Sequence, residues 1–280
     1  MPTDLPARGQ SKDMDELLAP LNDAHEARRR PRKRVRKRRK ATVTGVLGEI
    51  LITAGVLVLG FIVWQPIWSS TVVANQTATA SQAQRDQWEA NAQPSDAEGI
   101  MYDEDIPLPT PAAPGEHFGI LYAPAFGPGF RAGIGGGTDV RTVLNNYDLG
   151  IGHYSNTQLP GEVGNFAIAA HRSGWVPTPF REIMNLRVGD PLVVETENGY
   201  YTYRFRNVEY VLPTQVDVLN PFPRLEGQPG VDRILTMTTC HPKLSGSLER
   251  AIGYAVFESF QPRSAGMPQE LIDLDPTLQS

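Results

Sequence analysis

Between Val43 and Val63 the chain reads VTGVLGEILITAGVLVLGFIV, an apolar run of 21 residues with Glu49 as its only charge. As a helix such a run rises about 31 Å, which matches the hydrocarbon core of a bilayer. Trp64 and Trp68 follow it, where interfacial aromatics are expected. Just before it, Arg28 to Lys40 holds eleven Lys/Arg and no acid. The positive-inside rule then places residues 1–42 in the cytoplasm and everything after the span outside. The formal net charge is −5, so the rest of the chain carries −16. A basic block on an acidic body also suits nucleic-acid binding. Its position beside the apolar run favours topology and lipid contact, and no nucleic-acid partner is expected. A cleaved signal peptide is the competing reading, but both the apolar run and the segment before it are long for one.

The remaining organisation follows from composition. Residues 1–42 are read as a disordered cytoplasmic segment, 43–64 as the transmembrane helix and 65–115 as an extracytoplasmic stalk. Ala74 to Ala97 is rich in Ala, Gln, Ser and Asn, with a weak apolar face. The stalk ends in the proline-rich Pro107 to Pro114, which favours extended polyproline geometry. A folded domain is expected over 116–262, with a C-terminal tail at 263–280. The chain's 24 Pro and 26 Gly favour an all-β, loop-rich domain. Candidate strands are 118–122, 165–170, 191–196, 200–211, 234–239 and 252–260. Asn198-Gly199 signals a tight hairpin. Short helices are expected at 180–186 and 140–145. Gly133 to Gly137 lacks the strand–helix context of a phosphate loop.

Cys240 is the only cysteine, so no intramolecular disulfide forms. It ends an apolar strand, where a sheet fixes a nucleophile and a loop exposes it. A thiol needs a base or cationic partner, and histidine is the usual one. His241 adjoins Cys240 and points away on an extended strand. His171, at the end of Ala167 to Ala170, and His153 both remain as candidates. Arg250 follows Cys240 by ten residues, and a hairpin brings it back beside the thiol to bind an oxyanion. Arg172 and Arg233 are weaker candidates of the same kind. The histidines are scattered and there is no second cysteine, so no metal site is expected.

Taken together, His171, the strand end Thr236-Met237-Thr238-Thr239-Cys240 and Arg250, behind one membrane helix, resemble the sortase family. The text Gly152-His153-Tyr154, Leu159-Pro160-Gly161-Glu162, His171-Arg172, Tyr201-Thr202-Tyr203 and Thr239-Cys240-His241-Pro242 is similar to class E sortases of actinobacteria. The resemblance covers roughly 116–262. Met237 replaces the family's Leu, and Gly246 is read as an additional loop residue before Arg250.

The resemblance implies an eight-stranded β-barrel and a cysteine transpeptidase that needs no cofactor, although some relatives use calcium. It implies Cys240 as nucleophile, His171 as proton carrier and Arg250 as oxyanion stabiliser. Ala169 and Thr239 are expected to line the groove, with the proline-rich 212–232 connection over it. Expected partners are surface proteins bearing a Leu-Ala-x-Thr-Gly (LAXTG) or Leu-Pro-x-Thr-Gly (LPXTG) signal, a lipid-linked peptidoglycan precursor amine, and the membrane. A hydrolase using water and a non-enzymatic surface binding module are the rival readings.

Overall fold

A computed structural model describes residues 42–91, 99–102, 105–174, 178–227, 230–244 and 248–279. Residues 1–41, read above as cytoplasmic, and Gly246 lie outside the described residues.

Eight strands close into a barrel: β1 (His117–Tyr122), β2 (Arg131–Gly136), β3 (Gly150–His153), β4 (Gly164–Ala170), β5 (Pro191–Glu195), β6 (Gly199–Val211), β7 (Arg233–His241) and β8 (Glu249–Pro262). Their order around the barrel is β1-β2-β3-β4-β7-β8-β6-β5. The β2–β3 and β4–β7 pairs are parallel; the other six are antiparallel. Closure removes the exposed edges of an open sheet.

The eight-stranded barrel agrees with the expected fold class. Two strands, β2 and β3, escape the sequence reading because glycine interrupts their apolar pattern. There glycine serves close approach: a Cβ at Gly136 would lie 2.3 Å from the Ala113 carbonyl oxygen, and one at Gly152 only 2.4 Å from that of Gly137. The expected helices shorten to single turns at Val140–Leu144 and Ile183–Asn185. Asp139 caps the first by accepting from the backbone of Arg141 and Thr142.

Alternation along each strand builds two layers. Leu121, Ile134, Phe166, Ile168, Leu192, Tyr203, Leu235 and Met237 fill the barrel. Outside it, Ile120, Tyr122, Val193 and Tyr200 pack with Trp88, Leu271 and Leu278. A third cluster packs Val218 of the 212–232 connection with Val211 and Ile252.

The helix α1 spans Val43–Ala90. Its Val43–Gln65 part is long and apolar enough to cross a membrane, and none of it is buried. The later part belongs with the barrel in one compact unit, Val58–Ser280. Residues 65–115, expected as a stalk, lie along the barrel at many points. Thr77 Oγ1 donates to the Tyr147 carbonyl and Gln76 Nε2 to Asp148 Oδ1, both at 2.9 Å. Arg85 pairs with Glu195 at 3.1 Å, and Arg263 reaches the same carboxylate at 2.8 Å. Tyr122 donates to it at 2.6 Å. Glu195 is fully buried. Burial, with Glu195 beside it, pushes the Tyr200 phenol up to about 12. A weak apolar face hid this docking because one aromatic, Trp88, and one ion cluster carry it. Residues 263–279 also fold, with the short helix α2 (Gln269–Leu274) burying Leu271.

Candidate active site

The sheet register pairs two of the three expected catalytic residues. Cys240 on β7 is the direct antiparallel partner of Arg250 on β8. On the other side of β7, Ala169 of β4 pairs in parallel with Thr238. Two residues beyond that pair are His171 on one chain segment and Cys240 on the other. Cys240 and Arg250 thus share one rung of the β7–β8 ladder, and His171 follows the last residue of β4. Direct partners in a ladder share a face. Thr238 pairs with Ile252, which belongs to the outer cluster, so Thr238, Cys240 and Arg250 face outward.

Cys240 is partly exposed. His171 Nε2 donates to Asn145 Oδ1 at 3.0 Å, which orients the ring from the end of the Val140–Leu144 turn. Arg250 donates to the Glu249 carbonyl at 3.1 Å. A neighbouring pair buttresses the rung: Arg172 Nη1 donates to His241 Nδ1 at 2.6 Å, and Tyr210 packs on the His241 ring at 4.2 Å between centroids. Arginine only donates, so His241 Nδ1 is the acceptor there.

The two expected groove residues separate. Ala169 shares the outer face with Cys240. Thr239 faces inward, 3% exposed, and its hydroxyl donates to the Ala170 carbonyl at 2.7 Å. Strand alternation forces this, because Thr239 is adjacent to an outward-facing cysteine. The outward threonine is Thr238, whose Oγ1 lies 3.0 Å from the Tyr154 hydroxyl.

The 212–232 connection lies over this face. Asn165, buried on β4, donates to the carbonyls of Val218 and Asn220 at 3.0 Å each. Arg224 binds Glu209 and Asp217 from within the connection.

The other candidates take structural places. His153 is buried, its Nε2 3.0 Å from the Gln158 carbonyl, its ring against Phe118 and Phe166. Burial pushes its imidazole below the usual range. Arg233 opens β7, far along the strand from Cys240, and donates to the Gly161 carbonyl. Asn145, His241 and Tyr210 carry no sequence signal as supports, since only tertiary contacts bring Asn145 to His171, and Arg172 and Tyr210 to His241.

The barrel thus presents a partly exposed thiol near a strand end with an arginine as its cross-strand partner. A sortase-domain family model matches residues 121–258. Sortase SrtE1 of Streptomyces coelicolor is 35% identical over 262 residues, covering 91% of this chain and 68% of the relative. The crystal structure of sortase E1 from Streptomyces coelicolor with a tripeptide in the active site is similar at TM-score 0.51 and 34% identity, over 57% of this chain and 99% of that one. The SrtA sortase from Actinomyces oris gives TM-score 0.51 and 35% identity, over 62% and 93%. The chain belongs to the sortase family, and its similarity is to class E sortases. Homologues in this family are cysteine transpeptidases.

Proposed function

We propose that this protein is a membrane-anchored transpeptidase that joins sorting-signal proteins to a cell-wall amine, with Cys240, His171 and Arg250 as its catalytic residues. The observation that supports the reading is the Cys240–Arg250 ladder pair, with His171 just past the end of β4, the strand on the other side of β7. α1 anchors the chain through Val43–Gln65, residues 1–42 stay cytoplasmic, and the barrel works outside.

The Cys240 thiolate attacks the Thr carbonyl carbon of the Thr–Gly bond in a Leu-Ala-x-Thr-Gly or Leu-Pro-x-Thr-Gly signal. Arg250 stabilises the oxyanion of the tetrahedral adduct. The C–N bond breaks, His171 gives its proton to the departing glycine amine, and a thioester remains. An acceptor amine of a lipid-linked peptidoglycan precursor then attacks the thioester carbon. Its surplus proton passes to His171 and the thiolate leaves. Ala169 and Thr238 form part of the groove floor, and Thr239 holds the backbone that carries His171. No cofactor takes part in these steps.

The test uses the full-length chain in detergent micelles. Each signal peptide is supplied with and without an amine acceptor, and products are read by mass spectrometry. Thr–Gly cleavage with transfer to the amine, lost in Cys240→Ala and His171→Ala, supports the reading. Cleavage that ignores the amine moves the protein to a hydrolase. An unreactive Cys240 in folded protein, with no cleavage, leaves a binding module.

A further inference from the structure

The β4–β7 ladder ends at the pair Ala169–Thr238. His171 lies beyond it, where no further rung of that ladder ties its backbone to the segment of Cys240. Two side-chain ties take over at this point. Thr239 Oγ1 donates to the Ala170 carbonyl at 2.7 Å. Arg172 Nη1 donates to His241 Nδ1 at 2.6 Å. The neighbours of His171 are thus bonded to the neighbours of Cys240, one tie on each side of the two residues.

Alternation lets the second tie form away from the thiol. Cys240 faces outward, so His241 turns to the other side of the strand. There Tyr210 packs on its ring, and the Tyr210 hydroxyl donates to Met184 Sδ at 3.2 Å. Arg172 meets the ring while only 5% exposed. Among the described residues Arg172 forms no salt bridge, and its Nε has no hydrogen-bond partner. A buried guanidinium held by a ring nitrogen and by no carboxylate is a poor source of stability, because desolvation of the charge works against it. What the contact supplies is geometry.

We propose that Arg172 and His241 are positioning residues for the transpeptidation: their bond clasps the segment after β4 to the end of β7 and holds the His171 ring within reach of the Cys240 sulfur. This rests on the transpeptidase reading and extends it to two residues that touch none of the reacting atoms. His171 must give a proton to the departing glycine amine and later take one from the incoming amine. Both transfers need the ring at hydrogen-bond distance. A displacement of about 1 Å costs on the order of 10²-fold in rate. Asn145 orients the ring from the Val140–Leu144 turn, which is no part of β7. The clasp joins His171's own segment to the strand that carries the thiol.

The experiment uses the full-length chain in detergent micelles, with the Leu-Ala-x-Thr-Gly and Leu-Pro-x-Thr-Gly peptides and hydroxylamine as acceptor. His241→Leu keeps volume and removes the acceptor atom. Arg172→Met removes the donor. His241→Asn keeps an acceptor, since its amide oxygen falls where Nδ1 lies. Expected for His241→Leu and Arg172→Met is a fall in kcat of about 10–100-fold, with KM for the peptide unchanged. His241→Asn should recover most of that loss, and the double variant His241→Leu/Arg172→Met should be no slower than the slower single one. The proposal is overturned by a near-normal kcat in both single variants, by an Asn variant as slow as the Leu one, by fully additive losses, or by a rise in KM in place of the fall in kcat. A wild-type chain that forms no acyl-enzyme overturns the transpeptidase reading beneath it. If the Leu variant does not fold, His241→Gln replaces it. Its amide lies one carbon farther out, so it should be slow where Asn is not, and equal kcat for Asn and Gln overturns the clasp.

Discussion

Cys240 and Arg250 face each other as direct partners across the β7–β8 ladder, ten residues apart in the chain. The pairing fixes the Arg250 backbone directly beside that of Cys240. In the proposed reaction Arg250 meets the oxyanion from a strand that cannot drift. Arg250→Lys keeps the charge and loses the planar fork. Expected is a fall in kcat/KM of roughly 10²–10³, typical of removing one oxyanion donor. The melting temperature should hold. Steady-state kinetics with a fluorogenic sorting peptide checks this, and near-normal kcat/KM removes Arg250 from the mechanism.

Glu195 is the buried hinge between barrel, α1 and the C-terminal segment. Arg85, Arg263 and Tyr122 all converge on it, and the Arg263 guanidinium lies 5.0 Å from the Trp88 ring centre. Glu195→Ala strands two buried or half-buried arginines, at a cost of about 3–5 kcal/mol. Denaturant unfolding should show that loss, and Trp88 emission should shift to the red as α1 detaches. An unchanged midpoint excludes the cluster as the tie.

Acid should weaken the same region. His117 opens β1 beneath Trp88, with Nε2 donating to the Gly119 carbonyl at 3.0 Å. Burial pushes its imidazole down to about 4 from an ordinary value near 6.5. At pH 7 the ring is neutral in both folded and unfolded chains and contributes no difference. As pH falls from 6.5 to 4, the unfolded chain takes up the proton and the folded chain does not. Stability therefore declines through that window, by up to about 3 kcal/mol for a shift of this size. His153, also lowered by burial, adds in the same direction. Urea midpoints from pH 7.5 to 4.5 test this, and His117→Gln should flatten the slope.

The groove cover is held by charge. Arg224 binds Glu209 and Asp217, and the Tyr254 hydroxyl donates to Glu209 at 2.5 Å. Burial of Glu209 works against ionisation, but hydrogen bonds from Arg224 and Tyr254 outweigh it and hold its carboxyl below the usual range. Arg224 also has a left-handed backbone, φ 66°, which a bulky residue adopts only when its surroundings insist. Arg224→Ala should raise KM for the sorting peptide several-fold through a looser wall. Global stability should change by less than about 1 kcal/mol, since the pairs are largely exposed. A KM equal to wild type would show that the connection is held by Asn165 and its apolar contacts instead.

His241 supplies an acceptor to a buried guanidinium whose Nε has no hydrogen-bond partner among the described residues. Its Nδ1 accepts from Arg172 at 2.6 Å, and Arg172 is only 5% exposed. His241→Ala leaves that group short of a partner, at a cost of about 1–3 kcal/mol. Thermal unfolding measures it, and iodoacetamide labelling of Cys240 should persist, because the thiol is partly exposed and its ladder pairing with Arg250 is untouched.

Much of this was legible in the chain itself. The apolar run, the basic block before it, the longer alternating strands and the lone cysteine are local facts, written in periodicity and composition. Even the Cys240–Arg250 pairing was readable, because a hairpin links residues that are close in sequence. What the sequence left open was set by register and by sparse contacts. His153 ends β3, and His171 follows the last residue of β4. The parallel pairing of β4 with β7 leads the chain at His171 toward the Cys240 end of β7, whereas His153 is packed against Phe118 and Phe166. Strands β2 and β3 were hidden because their glycines answer to neighbouring backbone and carry no alternating pattern. Thr239 turned inward for the same kind of reason, since alternation from an outward cysteine is a property of the paired strand. The docking of α1 rests on Trp88, Arg85 and a carboxylate 110 residues away in the chain. One-dimensional periodicity carries no record of such a contact, and the tertiary structure alone decides it.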